Sequence, residues 1–236
     1  MTKVEVLPDA VAVATRAAHV IAAAARDSVA ESGRFALAVS GGQTPWLMLS
    51  LLAAEQVPWG SVHVFQVDER VAPSGHPDRN LTHLGERLLA RGALDASRLH
   101  AMPVEDPDLS AAAERYAAAL DAILGSPPEL SLVHLGLGPD GHTASLIPGD
   151  PVLRVSDADV ALTGEYQGRR RMTLTYPALD RARQLLWVVT GANKAPVLPR
   201  LLAGDPSIPA GRVRADRALL LADAAAAAAA ALPSPR

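Results

Sequence analysis

The sequence predicts an α/β fold built on a mostly parallel sheet with helices on both faces. Three observations carry this. Short apolar runs alternate along the chain with segments at helical spacing. The runs are continuous rather than interleaved with polar residues, the pattern of strands buried on both sides. No internal repeat and no Gly/Ser-rich linker divides the 236 residues, so 1–236 reads as a single domain with roughly 70–75% of its unfolded surface to bury.

Residues 1–6 alternate like a strand and carry no signal-peptide pattern. Residues 9–32 are Ala-rich and free of Gly and Pro, with Val13, Ala17, Val20, Ile21 and Ala24 at helical spacing, and Gly33 ends that helix. The apolar run 35–39 leads into Ser40-Gly41-Gly42-Gln43-Thr44-Pro45. A helix over 46–54 follows, with Thr44 as N-cap and Pro45 at its first position. Strand 62–67 runs into Asp68-Glu69-Arg70, three charges that by themselves read as a solvated rim. Beyond a polar, Pro-rich loop come a helix over 80–90 and another over 110–124, with Ser110 as its N-cap. Strand 130–137 ends in Gly138-Pro139-Asp140-Gly141-His142. Segments 160–163, 171–176 and 184–190 are further strands, 193–202 a helix and 218–221 a last strand. Residues 224–231 are eight alanines, read as a helix that frays into Pro233-Ser234-Pro235-Arg236.

Composition narrows the function. Lys plus Arg number 22 against 25 Asp plus Glu, a formal charge of −3, which argues against the basic face of a nucleic-acid binder. The absence of Cys excludes a disulfide scaffold, a thiol nucleophile and a thiolate metal site, and fits a reducing compartment. No apolar run reaches the ~18–20 residues of a bilayer span. The expectation is a soluble cytoplasmic protein.

In an open parallel sheet, ligands bind beyond the carboxyl ends of the strands, so the loops after Val39, Val67, Leu137 and Thr190 are the candidate site. Ser40, Gly41, Gly42 and Thr44 join a strand to a helix start, where free N–H groups and the positive dipole end suit a phosphate. The same glycines also suit a plain tight turn. Ser40 as a hydrolase nucleophile is disfavoured, because too few strands precede it for that fold. Arg70 offers a fork matched to phosphate or carboxylate. Residues 136–141 spell G-x-G-x-x-G, but Pro148, Gly149 and Pro151 allow no full helix afterwards, so no dinucleotide cofactor is expected. His142, two residues from Asp140, is a candidate general base. Lys194 and Arg171 add cations at two further strand ends, and no spacing suggests a metal.

Taken together, five segments resemble the lactonase branch of the glucosamine-6-phosphate isomerase/6-phosphogluconolactonase family. They are 37–45, Asp68-Glu69-Arg70 with Asn80, 136–149, 171–175 and 191–195, and they span nearly the whole chain in the family's order. The chain departs from the family at Ile147, where Phe is usual, and at Arg79, where a small Ser is usual. The second change is expected to add a charge at the pocket rim.

The resemblance implies a three-layer α/β/α, Rossmann-like domain of the deaminase/ribose-5-phosphate isomerase/CoA-transferase type. It implies hydrolysis of 6-phosphoglucono-δ-lactone to 6-phosphogluconate, the second step of the oxidative pentose phosphate pathway. His142 would activate water with Asp140 orienting it. Ser40, Gly41, Gly42, Thr44, Asp68, Asn80 and Gly138 would surround the substrate, and Arg70, Lys194 and Arg171 would hold its phosphate. The expected partner is a small sugar phosphate lactone, met by a monomer or homodimer without cofactor, metal, nucleic acid or membrane. Two alternatives stand beside this. Glucosamine-6-phosphate deaminases share parts of the pattern but carry Tyr at position 70 and a catalytic Glu at 147, where this chain has Arg70 and Ile147. A sugar-phosphate sensor would use the same fold without catalysis.

Overall fold

The computed structural model describes residues 2–230. In chain order its strands are β1 (Lys3–Leu7), β2 (Phe35–Val39), β3 (Val62–Gln66), β4 (Asp68–Arg70), β5 (Leu99–His100), β6 (Leu132–Leu135), β7 (Val160–Leu162), β8 (Arg171–Leu174), β9 (Leu185–Val189) and β10 (Ala218–Asp223). The helices are α1 (Ala10–Ser32), α2 (Gln43–Leu52), α3 (Asn80–Leu84), α4 (Leu109–Leu124), α5 (Tyr176–Asp180), α6 (Leu198–Leu202) and α7 (Ala224–Ala227).

Seven strands form one sheet in the order β1-β10-β9-β6-β2-β3-β5, and every pairing in it is parallel. The apolar runs form these strands because successive side chains point to opposite faces and both faces are dry. In β2, Phe35, Leu37 and Val39 pack with α1 and α2, whereas Ala36 and Ala38 join a second core with Tyr116 and Leu120 of α4. Alanines at 14, 17, 18, 22 and 25 let α1 lie close to the sheet and to α2. The result is the expected α/β/α arrangement.

A feature absent from the sequence reading is a second, antiparallel sheet, β4-β8-β7, packed into the α4-side core through Met172 and Leu174. It takes up Asp68-Glu69-Arg70, which is therefore no solvated rim: Asp68 and Glu69 are buried.

Local corrections follow from capping and proline chemistry. The N-cap of α2 is Gly42, not Thr44, whose hydroxyl instead bonds Thr190 Oγ1 at 2.8 Å. The N-cap of α4 is Asp108, not Ser110, because Asp108 Oδ1 accepts the Ala111 N–H. The helix expected over 193–202 is split into a 3₁₀ turn at Ala192–Lys194 and α6, since Pro196 and Pro199 interrupt it. The 80–90 helix leaves α geometry after Leu84 for one π turn, Gly85–Leu89. The alanine run is helical over Ala224–Ala227, capped by Asp223, and its expected fraying end beyond residue 230 lies outside the described residues.

Candidate active site

Four central strands end at one rim and deliver the loops that matter. β2 leads into Ser40 and Gly41, β3 into Asp68 and Arg70 of β4, β6 into residues 136–142, and β9 into the turn carrying Lys194. β8 contributes Arg171, and the start of α3 contributes Asn80. These residues line a cavity of about 190 Å³ together with Gly138 and His142. Of the residues singled out in the sequence, Gly42, Thr44 and Asp140 do not line it, although Asp140 contacts His142, which does. A larger groove of about 850 Å³ lies along α4 and β7, but there Arg181 is paired with Asp159 at 2.5 Å.

His142 Nδ1 lies 2.6 Å from Asp140 Oδ1, and the His142 backbone N–H donates to the same oxygen at 3.2 Å. Asp140 Oδ2 accepts from the Tyr166 hydroxyl at 3.0 Å. Burial works against ionisation of Asp140, but the His142 imidazole and the bonds from His142 and Tyr166 outweigh it and hold the carboxyl below its ordinary range. An ionised Asp140 fixes the Nδ1–H tautomer. Nε2 is then the proton acceptor, and it has no hydrogen-bond partner among the described residues. Gly138 makes room for this ring, since a Cβ there would sit 2.1 Å from His142 Nδ1. The Gly138 N–H is committed to the His142 carbonyl at 2.8 Å, so that donor is not open to a ligand.

Arg70, Arg171 and Lys194 face the same cavity, and among the described residues none has a carboxylate within ion-pair distance. Nε of both arginines is buried without a hydrogen-bond partner. Burial pulls Arg171 and Lys194 below their ordinary pKa, opposed by Asp68 for the arginine and by Asp140 for the lysine. Three uncompensated cations around one small cavity make an anion site.

Asp68 is consumed internally. Its Oδ2 accepts from Ser145 Oγ at 2.6 Å, and its carbonyl accepts from Asn80 Nδ2 at 2.8 Å. Glu69 is a hidden hub that accepts from the backbone N–H groups of Arg70, Asn80 and Leu81 and from Gln66 Nε2. Arg79 is not at the pocket rim, as the sequence suggested. It is 2% exposed, with Nε 3.1 Å from Glu69 and Nη1 2.8 Å from Glu105. A long guanidinium stem reaches inward where a small residue would leave Glu69 without a cation.

The sequence reading missed Glu69, Tyr166 and His134. Glu69 was hidden behind its charged neighbours. Tyr166 sits in a Gly/Arg hairpin whose only signal is one aromatic before a turn. His134, fully buried on β6, accepts the Ser40 N–H at Nδ1 (3.3 Å) while its carbonyl accepts the Ser40 hydroxyl (3.1 Å).

The pattern describing glucosamine-6-phosphate isomerases/6-phosphogluconolactonase matches residues 8–221. The chain belongs to that family. Within the family it is 37% identical over 231 residues to a 6-phosphogluconolactonase of Nostoc sp., covering 94% of this chain and 96% of that one. It is 32% identical to the 6-phosphogluconolactonase of Mycobacterium tuberculosis, over 96% and 98% of the two chains. The crystal structure of 6-phosphogluconolactonase from Thermotoga maritima superposes with a TM-score of 0.84 at 26% identity, covering 94% of this chain and 99% of that one. The seven-stranded parallel sheet and its flanking layers are thus those of the 6-phosphogluconolactonase fold.

Proposed function

We propose that this chain hydrolyses 6-phosphoglucono-δ-lactone to 6-phosphogluconate, a step of the pentose phosphate pathway. The observation that carries the reading is the His142–Asp140 pair beside three unpaired cations in one cavity. A lactone is already an activated ester, so the protein must supply a base, an anchor for the phosphate and donors for the oxyanion. His142 Nε2 takes a proton as water attacks the lactone carbonyl. The tetrahedral oxyanion collapses, the ring oxygen leaves, and the proton on His142 passes to it. With the Gly138 N–H committed, the oxyanion donor is the Gly41 N–H, which lines the cavity and has no partner among the described residues. Arg70, Arg171 and Lys194 take the phosphate, so remote binding energy holds the carbonyl before the water.

The deaminase alternative lacks its acid/base group. Position 147 is an isoleucine, 5% exposed, and an alkyl side chain exchanges no proton. The same reading has the chain act as a monomer or homodimer on a small sugar phosphate in the cytoplasm. Among the described residues no group of three or more His, Cys, Asp or Glu is placed to hold a metal ion, and no helix is long and apolar enough to cross a membrane.

The test is loss of freshly made 6-phosphogluconolactone, followed by coupled oxidation of the 6-phosphogluconate released. The expected result is a rate far above spontaneous hydrolysis, unchanged by EDTA, with no ammonia from glucosamine 6-phosphate. A protein that bound 6-phosphogluconate without accelerating lactone loss would be a sensor, and the proposal would fall.

A further inference from the structure

We propose that Tyr166 is a positioning residue for the hydrolytic pair, holding Asp140 through its hydroxyl so that the carboxylate presents a single fixed oxygen to His142. The inference rests on the lactonase reading of the site. Tyr166 lies at the tip of the β7–β8 hairpin, where it pairs with Arg169 across a two-residue turn. Gln167 and Gly168 of that turn both have positive φ, 53° and 75°, the geometry whose twist matches the flanking strands and fixes where Tyr166 points. Arg169 pins the same hairpin to Asp78 Oδ2 at 2.8 Å and to His76 Nε2 at 3.2 Å.

Three contacts spread from the one ring. The hydroxyl donates to Asp140 Oδ2 at 3.0 Å, leaving Oδ1 to His142. The ring edge meets the His142 imidazole at 5.7 Å and 70°. The ring face lies under the Arg171 guanidinium at 5.0 Å. Burial, then the bond to Asp140, raises the phenol above its ordinary pKa, so it stays a donor at neutral pH. A carboxylate with only His142 as partner is free to rotate or to offer either oxygen, and the imidazole follows it. The second donor removes that freedom.

The experiment uses Tyr166→Phe, which keeps the ring between His142 and Arg171 and removes only the hydroxyl. The expected kcat falls about tenfold, the scale of one hydrogen bond to a charged group. KM and the affinity for 6-phosphogluconate stay within about twofold. The charged groups facing the pair, Arg171 and Lys194, are unchanged. A variant with wild-type kcat would overturn the proposal, as would a change confined to KM. A readout independent of turnover separates this from the lactonase reading: the proton NMR signal of the His142 Nδ1–H, identified by its loss in His142→Ala. It should shift in Tyr166→Phe even if the wild-type protein hydrolysed no lactone. An unshifted signal would sink the positioning role whatever the activity.

Discussion

His142 Nδ1 and Asp140 Oδ1 meet at 2.6 Å with only Gly141 between them in the chain. In the proposed reading the base and the group that orients it come from one loop, so their geometry is local, while the three cations come from three other segments. Replacing His142 with Ala is expected to cut kcat by about 10²–10⁴-fold, the usual contribution of a positioned acid–base group. Ser40→Ala should cost far less, since the Ser40 hydroxyl is turned to the His134 carbonyl. Steady-state rates for the two variants check this, and a covalent acyl adduct on Ser40 in mass spectrometry would reverse the assignment.

The phosphate supplies binding that an unphosphorylated lactone lacks. Arg70→Ala and Lys194→Ala should each weaken 6-phosphogluconate binding by about 10–150-fold, the range for one charge-assisted contact. Gluconolactone should be poor in both kcat and KM. Calorimetric titration at one fixed salt concentration is the measurement. Changes below about twofold in both variants would mark these as ordinary surface cations.

Gly138→Ala places a methyl group where the imidazole now stands, 2.1 Å from Nδ1. The ring must move, and activity should fall at least about a hundredfold while 6-phosphogluconate still binds. Near-normal turnover would show that His142 has a second productive position.

Arg79→Ala leaves Glu69 buried without its cation. Breaking such a pair costs about 3 kcal/mol, and because Glu69 also holds the Arg70 and Asn80 backbones, KM should rise with the loss of stability. A urea midpoint unchanged from wild type would contradict this.

His134 gives the stability its acid dependence. Burial pushes its pKa down to about 3, whereas an unfolded histidine titrates near ~6.5. Above that value neither state binds the proton. Below it the unfolded chain takes up a proton that the folded chain refuses, so stability falls with acid down to about pH 3. His100, lowered to about 4 chiefly by burial, adds in the same direction. Denaturation at pH 7 and pH 5 should show a larger loss for wild type than for His134→Gln, and equal losses would remove His134 as the cause.

Much of the frame was legible because strand and helix periods differ and glycine and proline punctuate them. Phe35–Val39 and the helix from Ala10 to Ser32 were readable almost to the residue. The β4-β8-β7 sheet was not, because Asp68-Glu69-Arg70 is charged and its burial depends on partners a hundred residues away. For the same reason His142, Asp140 and the cations were nameable, each sitting in a loop of distinct chemistry. Arg79 and Tyr166 were misjudged or missed, since what a long side chain touches is decided by tertiary packing alone. Thr44 was misread as a cap because its hydroxyl found Thr190, a partner outside its own helix.

A sheet in which every neighbour is parallel contains no hairpin to start from. β2 must find β3 on one side and β6 on the other, and β6 in turn must find β9. Each pairing closes a long loop before any contact rewards it, and the cavity has a wall from each of these strands. No fragment of the chain therefore carries part of the activity. On refolding from denaturant, turnover should return later than helical circular dichroism, and the lag between the two signals measures the time from helix formation to completion of the sheet around the cavity.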